Sequence, residues 1–483
     1  MDLDWKKLLS EVRIRDFYIS PDTPSSSDHR SEFERDYDRS IFSTPVRRLL
    51  DKAQVFPLEA NDSVRTRLTH SLEVSTVARD MARAIGGWLE KEGKIEEKEE
   101  KAIETIAATC GLIHDLGNPP FGHAGEMAIR EWFDNQKSEF WEITGGMFKQ
   151  RLKNDFLEFE GNAQTIRLIS KLQLLSDMYG LNLTCGTMSA AFKYIAHSGE
   201  INKGIHAFSK VGYFTSEESL LELVQHETGT KGARNPITYI VEAADDIVYS
   251  VVDIEDGLRK GVIGWDELKE KLKEECEQTP HKKKMLEDCF EAAENMIDKK
   301  KGSIPLKGRA REEAYVQAFR VHAIAKSVKA TIAAFTDKYE DIMAGSYQGE
   351  LYKDSEAYLL IQACKKVGKK YIYRSEQNLK LELMGRKVIH GLMDIFWEGA
   401  EKGNGDGGSF ANKTFSLFSK NYVEAFKGAQ NTIKPLGKYK NLFCGNKLKS
   451  LPQKYLCMQL LTDYICGMTD TFACDLYKQL TNG

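Results

Sequence analysis

The amino-acid sequence predicts an all-α, mostly helical protein, on three observations. Proline is scarce, with 11 in 483 residues, well below the average usage of about 5%. Apolar residues recur three and four positions apart through long segments rich in Lys, Glu, Ala and Leu, the spacing of one helix face. The composition, 41% apolar and 29% charged, is that of a globular chain able to build a core. The length suffices for one large domain or two to three ordinary ones.

Along the chain, residues 1–45 read as a polar, irregular and partly flexible N-terminal segment, with SPDTPSSSD as a loop. Arginines interleave with aromatics in RSEFERDYDRSIFSTPVRRLLDKAQVF. From Asp62 to Ile85 the pattern predicts an amphipathic helix, its apolar face marked by Val64, Leu68, Leu72, Val74, Val77 and Met81. The charge run in EKEGKIEEKEEKAIETIAATCGLIHDLG reads as a solvated helix face. Ile103, Ile106 and Ala107 carry that helix on until Gly117 and Pro119-Pro120 stop it. VGYFTSEESLLELVQHETG is read as a short strand followed by a helix with Ser216 as N-cap. NPITYIVEAADDIVYSVVDIEDGL is helical by pattern despite its β-branched residues. KGSIPLKGRA is a loop, beyond which Tyr315, Phe319 and Ala323 recur on one helical face. These signals divide the chain into an N-terminal segment 1–45, a core 46–300 and a C-terminal helical region 301–483 packed on that core. No internal repeat is evident.

A net charge of -4 argues against a dedicated nucleic-acid binder, so an anionic substrate must meet a local cluster of cations. Nine cysteines, none in a C-x-x-C pair, read as reduced thiols in a cytoplasmic protein rather than as disulfides or a zinc ribbon. MDLDWKKLLSE has no apolar signal-peptide region, and no apolar run reaches the roughly 18 residues that span a bilayer. GNGDGG, 403–408, matches G-x-G-x-x-G literally. It follows a helical pattern rather than a strand, so it reads as a loop and not a dinucleotide site. His29, His206, His226, His281, His322 and His390 have no usable acidic neighbour pattern; His197 is similar.

The chemistry concentrates in GLIHDLGNPPFGHAGE, Gly111 to Glu126. Hydrolysis of a phosphate ester calls for a metal, a water, a proton-handling group and cations. His70 on one helix, His114 and Asp115 at the end of another, and the pair Asp245-Asp246 on a third form a borderline-to-hard donor set. Spacing alone leaves a second reading open, in which both histidines are core residues capped by carboxylates. His123 and Glu126 share a face if GHAGE starts a helix, and Glu126 then orients the imidazole; a helix cap with a first-turn acid is the alternative. Arg67, three residues before His70, shares its helix face, as suits a phosphoryl oxygen. Lys193 and Lys210 are further cation candidates, each otherwise an exposed surface charge.

RLTHS, HDLGNPPFGHAGE and EAADDIVY, in this order, resemble the HD-domain superfamily, specifically the bacterial dGTPase-like deoxynucleoside triphosphate triphosphohydrolases. RDYDRSIFSTPVRRLLDKAQVF, YRSEQNLKLELMGRKVIHGLMDIF and DYICGMTDTFA extend the resemblance over roughly residues 30–475. The ordered set is far more specific than any single motif. The resemblance implies an HD-domain helical core with an additional C-terminal helical region, and hydrolysis of a dNTP to deoxynucleoside and inorganic triphosphate, with dGTP first. It implies a divalent metal ion, manganese or magnesium before iron, cobalt or zinc, held by His70, His114, Asp115 and Asp245. Asp245 is preferred to Asp246 because the family's tyrosine follows the ligand by four, as Tyr249 does. His123 with Glu126 matches the catalytic pair. Gln54 resembles the family's glutamine at the 3'-hydroxyl. Arg67, Lys193, Tyr194 and Lys210 match triphosphate positions, and Asn118 and Asn162 the α-phosphate region. Tyr249 would lie under the deoxyribose, with Asp253 near the sugar or phosphate end. The partners implied are the dNTP substrate, further copies in a homo-oligomer such as a hexamer, and single-stranded DNA or a second dNTP as effector, with no membrane. Other HD nucleotidases or phosphodiesterases, and a nucleic-acid-binding regulator, are the competing readings.

Overall fold

The computed structural model describes the chain except residues 1, 21–28, 60, 62, 144–145, 174–176, 277–283, 299–304, 406–407, 430–434, 438, 440–450 and 483. Its N-terminal part carries α1 (Trp5–Leu8), α2 (Glu32–Ile41) and α3 (Thr44–Arg48). Next come α4 (Arg67–Lys91), α5 (Glu97–Ile113), α6 (Gly122–Asp134), α7 (Gln150–Leu157), α8 (Gly161–Arg167), α9 (Cys185–Ala191), α10 (Glu218–Thr228) and α11 (Pro236–Arg259). The remainder is α12 (Trp265–Cys276), α13 (Lys284–Asp298), α14 (Arg309–Asp337), α15 (Tyr339–Met343), α16 (Tyr358–Val367), α17 (Glu376–Lys402), α18 (Phe410–Phe415), α19 (Lys420–Gly428), α20 (Gln453–Cys466) and α21 (Asp470–Thr481). The expected all-α class holds. Among the described residues the one sheet is a hairpin of two-residue strands, β1 (Glu142–Ile143) against β2 (Gly146–Met147).

Local chemistry starts the helices that matter. Thr66 caps α4 reciprocally with Thr69. Glu97, Glu99 and Glu100 place negative charge at the start of α5. Asn235 accepts from the Ile237 N–H at 2.9 Å, and Pro236 supplies the first residue of α11. α11 is buried on nearly every side from Pro236 to Leu258. Its β-branched residues are therefore held helical by packing rather than by propensity.

α4, α5, α11 and α14 share one apolar cluster, including Val74, Ile85, Ile106, Ile240 and Phe335. α6, α17 and α20 meet in a second, through Ile129, Phe133, Ile389, Phe396 and Leu461. A third joins the far end of α11 to α12, α13, α14 and α16; the predicted face of Tyr315, Phe319 and Ala323 is buried there. Arg65 fixes the start of α4 to α11, donating to Asp256 Oδ1 at 2.6 Å and Glu255 Oε2 at 2.8 Å. That tie brings His70 against the middle of α11.

Several local expectations are corrected. Residues 1–45 are not simply irregular. Ser31 and Glu34 cap α2 reciprocally, and Trp5, Leu8 and Phe33 are buried in the core. Of the SPDTPSSSD loop, 21–28 lie outside the described residues. The predicted helix Asp62–Ile85 begins at Arg67 and runs to Lys91, and Asp62 lies outside the described residues. Leu72 does not belong to its inner face, being 39% exposed. Small polar residues occupy that face instead: Ser75 donates to the Ala108 carbonyl at 2.7 Å, letting α4 and α5 approach closely. No strand precedes α10. A 3₁₀ turn, Thr215–Glu217, leads into it, and Glu217, not Ser216, occupies the cap position, because Ser216 is spent on Glu217 and Gln459. The described residues of 403–408 link α17 to α18, as a loop should.

Candidate active site

The helix α5 ends at Ile113, so His114 and Asp115 emerge from its last turn, facing the first turn of α4 and the middle of α11. His70 Nε2 lies 3.2 Å and His114 Nε2 3.5 Å from the same oxygen, Asp245 Oδ1. Asp115 Oδ1 is 3.6 Å from His114 Nε2. Donor atoms of His70, His114 and Asp115 all fall within 4.8 Å of one another. His114 Nδ1 is 2.7 Å from the Gly111 carbonyl, so this nitrogen carries the proton and Nε2 presents a lone pair. His114 Nε2 is buried and has no hydrogen-bond partner among the described residues. Two imidazoles and two carboxylates converging around that lone pair fit a divalent cation.

The electrostatics agree. Burial opposes charge on Asp245, but His114, Lys193 and His70 hold its carboxyl well below the usual range. Burial likewise opposes charge on Asp115, and Arg67 and His114 outweigh it. Both carboxylates are held ionised at neutral pH. Asp246, the neighbour of Asp245, turns away to Lys365 Nζ at 2.7 Å.

Cations and amides line the same centre. Arg67 Nη1 donates to Asp115 Oδ2, while Arg67 Nε is buried without a partner among the described residues. Lys193 Nζ lies 3.4 Å from Asp245 Oδ2. Asn118 Nδ2 donates to Asp115 Oδ1 at 2.6 Å. Asn162 and Lys193 line a cavity together with His114, Asp245 and Glu242. Lys210 sits apart. It pairs with Glu160 at 3.2 Å and lines a separate cleft of about 590 Å³ with Arg130 and Lys203.

α6 does begin within GHAGE, and the expected pair is present: His123 Nδ1 lies 3.0 Å from Glu126 Oε2. Glu126 Oε1 accepts the Gly161 N–H at 2.7 Å. Burial opposes its charge, and His123 and the Gly161 amide hold its carboxyl below the usual range. The ionised Glu126 fixes the His123 proton on Nδ1. With its side chain 71% exposed, the imidazole is otherwise open to solvent.

Gln54, in the connection before α4, has a buried Oε1 with no partner among the described residues. Tyr249 and Asp253 follow Asp245 at one-turn intervals along α11. Lys365 Nζ lies 5.1 Å from the Tyr249 ring centre, and Tyr373 donates to Asp253 Oδ2. Tyr194 is buried, its ring centre 5.8 Å from that of His206.

Sequence reasoning passed over several partners. Lys365, Tyr373 and Glu160 carried no assignment, although Tyr373 opens the quoted YRSEQN segment. His206 was set aside as lacking an acidic neighbour, yet its Nε2 lies 2.6 Å from Glu242 Oε1, 36 residues away. His197 pairs with Glu200 at 3.0 Å, an i,i+3 spacing that was legible. His281 lies outside the described residues.

This constellation on a helical scaffold defines an HD-domain protein, and the HD domain model matches residues 67–174. A deoxyguanosinetriphosphate triphosphohydrolase-like protein of Listeria monocytogenes is 34% identical over 498 residues, 99% of each chain. A deoxyguanosinetriphosphate triphosphohydrolase of Yersinia enterocolitica is 30% identical, covering 95% of this chain and 96% of its own. A deoxyguanosinetriphosphate triphosphohydrolase-like protein of Synechocystis is 29% identical over 99% of each chain. The chain belongs to the HD-superfamily family of dGTPase-like proteins.

Proposed function

We propose that the protein hydrolyses deoxynucleoside triphosphates, dGTP first among them, to deoxynucleoside and inorganic triphosphate with a divalent metal. The observation that carries this reading is the convergence of His70, His114, Asp115 and Asp245 beside Arg67 and Lys193, in a chain whose full-length relatives are named deoxyguanosinetriphosphate triphosphohydrolase or triphosphohydrolase-like.

A divalent ion held by these four residues, manganese or magnesium in this reading, supplies Lewis-acid polarisation of a phosphoryl oxygen and acidifies bound water. The chain's own groups do the rest. Arg67, braced by Asp115 and with Nε unspent, offers a guanidinium to an α-phosphate oxygen. Asn118 and Asn162 offer amides on the same side. Lys193, Tyr194 and Lys210 hold the outer phosphates, Lys210 leaving Glu160 to do so. His123, its Nδ1 proton held by Glu126, handles the proton of the displacement at Nε2. Gln54 Oε1 accepts from the 3'-hydroxyl. Tyr249 packs against C2' and clashes with a 2'-hydroxyl, with Asp253 beside it; a built-in clash is one way a site rejects the wrong sugar. A homo-oligomer, and control by single-stranded DNA or a second dNTP, complete the proposal.

The test is product analysis by ion exchange, with each dNTP and GTP, in manganese or magnesium. Deoxynucleoside plus intact triphosphate, lost in His114→Ala and absent with GTP, is the expected result. Monophosphate plus pyrophosphate, or stepwise phosphate release, replaces this reading with another HD phosphohydrolase.

A further inference from the structure

The turn that joins the two halves of the site is strained. Phe121 has φ of 62°, a left-handed conformation rare for a bulky side chain, and Gly122 follows at 57°. Such a turn persists only where its surroundings over-determine it. It lies between Asp115 and Asn118 on one side and His123 and Glu126 on the other, so its shape sets the relation of the metal side to the proton side.

What holds it comes from the opposite end of the chain. Asp470, the first residue of α21, accepts the Phe121 N–H with Oδ1 at 2.9 Å and the Ala53 N–H with Oδ2 at 2.9 Å. Lys52 donates to the Asn118 carbonyl at 2.6 Å and to the Cys466 carbonyl, at the end of α20, at 2.7 Å. Both side chains are buried, Lys52 at 3% and Asp470 at 2% exposure. The Lys52 carbonyl in turn accepts the Arg67 N–H at 3.0 Å. Two buried charges thus spend their hydrogen bonds on the main chain of three segments: the strand-like piece before Gln54, the turn 118–121, and the α20–α21 junction. Burying a charge is costly unless its hydrogen bonds are satisfied, and these bonds all serve relative placement.

We propose that Asp470 and Lys52 are positioning residues of the reaction, which clamp the 118–122 turn and the Gln54 segment to the α20–α21 junction. The C-terminal helices thereby set where Asn118, His123 and Gln54 stand around the substrate. The kinetic part rests on the proposed function; the structural part does not.

The experiment uses the full chain and compares Asp470→Asn and Lys52→Met with the wild type. Asn keeps the size of Asp470 but turns an NH₂ toward one of the two N–H donors, so one bond is lost. Measured are metal stoichiometry, kcat and KM for the dNTP that turns over best, and hydrogen exchange by peptide. Expected in both variants are wild-type metal stoichiometry, faster exchange confined to 50–56 and 116–124, and kcat lowered about 100-fold, the cost of a misplacement near 1 Å, with KM moved far less. Asp394→Leu serves as control. Leucine offers no acceptor, so it removes another bond between α6 and the C-terminal helices, from Trp132 Nε1 at 2.7 Å, and leaves exchange in 116–124 and kcat unchanged. Wild-type exchange and kcat in Asp470→Asn overturn the proposal. So does a loss spread over the whole chain in both variants with normal kcat per folded molecule, which makes the pair a general strut. If the wild type turns over no dNTP, the proposed function fails, while the exchange comparison still decides whether the clamp exists.

Discussion

Lys365 Nζ lies 2.7 Å from Asp246 Oδ1, and this contact separates two adjacent aspartates of α11 into different tasks. Asp245 faces His70 and His114, whereas Asp246 closes a bond to α16. Asp245→Asn is expected to lose metal in a calorimetric titration. Asp246→Asn is expected to keep it and to lose about 1.5–3 kcal/mol of stability, the range for a hydrogen bond to a charged group. Equal metal loss in both variants would contradict the assignment.

Metal is expected to stabilise the fold, because the proposed ligands His70, His114, Asp115 and Asp245 come from three parts of the chain. A ligand at 100 times its Kd adds about 2.7 kcal/mol. Manganese should therefore raise the thermal midpoint of the wild type and chelator should reverse the gain. His114→Ala should respond to neither.

His123→Ala should lower kcat by about 10²–10⁴, the usual span for a general acid or base, with the metal content intact. Glu126→Gln should lower it less, since the amide still reaches the ring but no longer fixes its tautomer as a carboxylate does. A kcat for His123→Ala within twofold of the wild type removes His123 from the mechanism.

Burial pushes the Asp253 carboxyl from 3.8 up to about 7, with the Tyr373 hydroxyl and His70 opposing the rise. Between those values the folded chain holds a proton that the unfolded chain has released. Stability from this group is complete below about 4, falls as pH rises, and is gone above about 7. Asp253→Asn should flatten that slope, gaining on the wild type at pH 8 relative to pH 5. Parallel midpoint curves for the two proteins would refute the assignment.

A Cβ on Gly161 would stand 2.3 Å from Asn118 Oδ1 and 2.7 Å from Glu126 Oε1. Gly161→Ala should therefore push both side chains apart, at a cost of about 1–3 kcal/mol for overpacking. It should cost activity beyond that loss of stability. Wild-type kcat in a folded Gly161→Ala protein would separate Asn118 and Glu126 from the reaction.

Much of the site was legible before any coordinates. His123 and Glu126 are three apart at a helix start, and helix geometry puts them on one face. Asp245, Tyr249 and Asp253 follow the same rule on α11. Ser31 and Glu34, three apart, carry a capping signal for α2 that the polar composition of residues 1–45 masks. The inner face of α4 was misread at Leu72 because its contact with α5 uses Ser71 and Ser75, which carry no hydrophobic signal.

By itself, the sequence determined the helical class and the family, and named the candidate donors in order, because helix periodicity and motif spacing act within a few residues along the chain. Only the tertiary structure decided that Asp246 belongs to Lys365, that His206 faces Glu242, that Lys210 is paired with Glu160, and that Asp470 grips Phe121 from 349 residues away. Those pairings depend on how whole helices pack. Packing is the sum of many weak, non-directional contacts, and no local spacing records where that sum brings two distant side chains together.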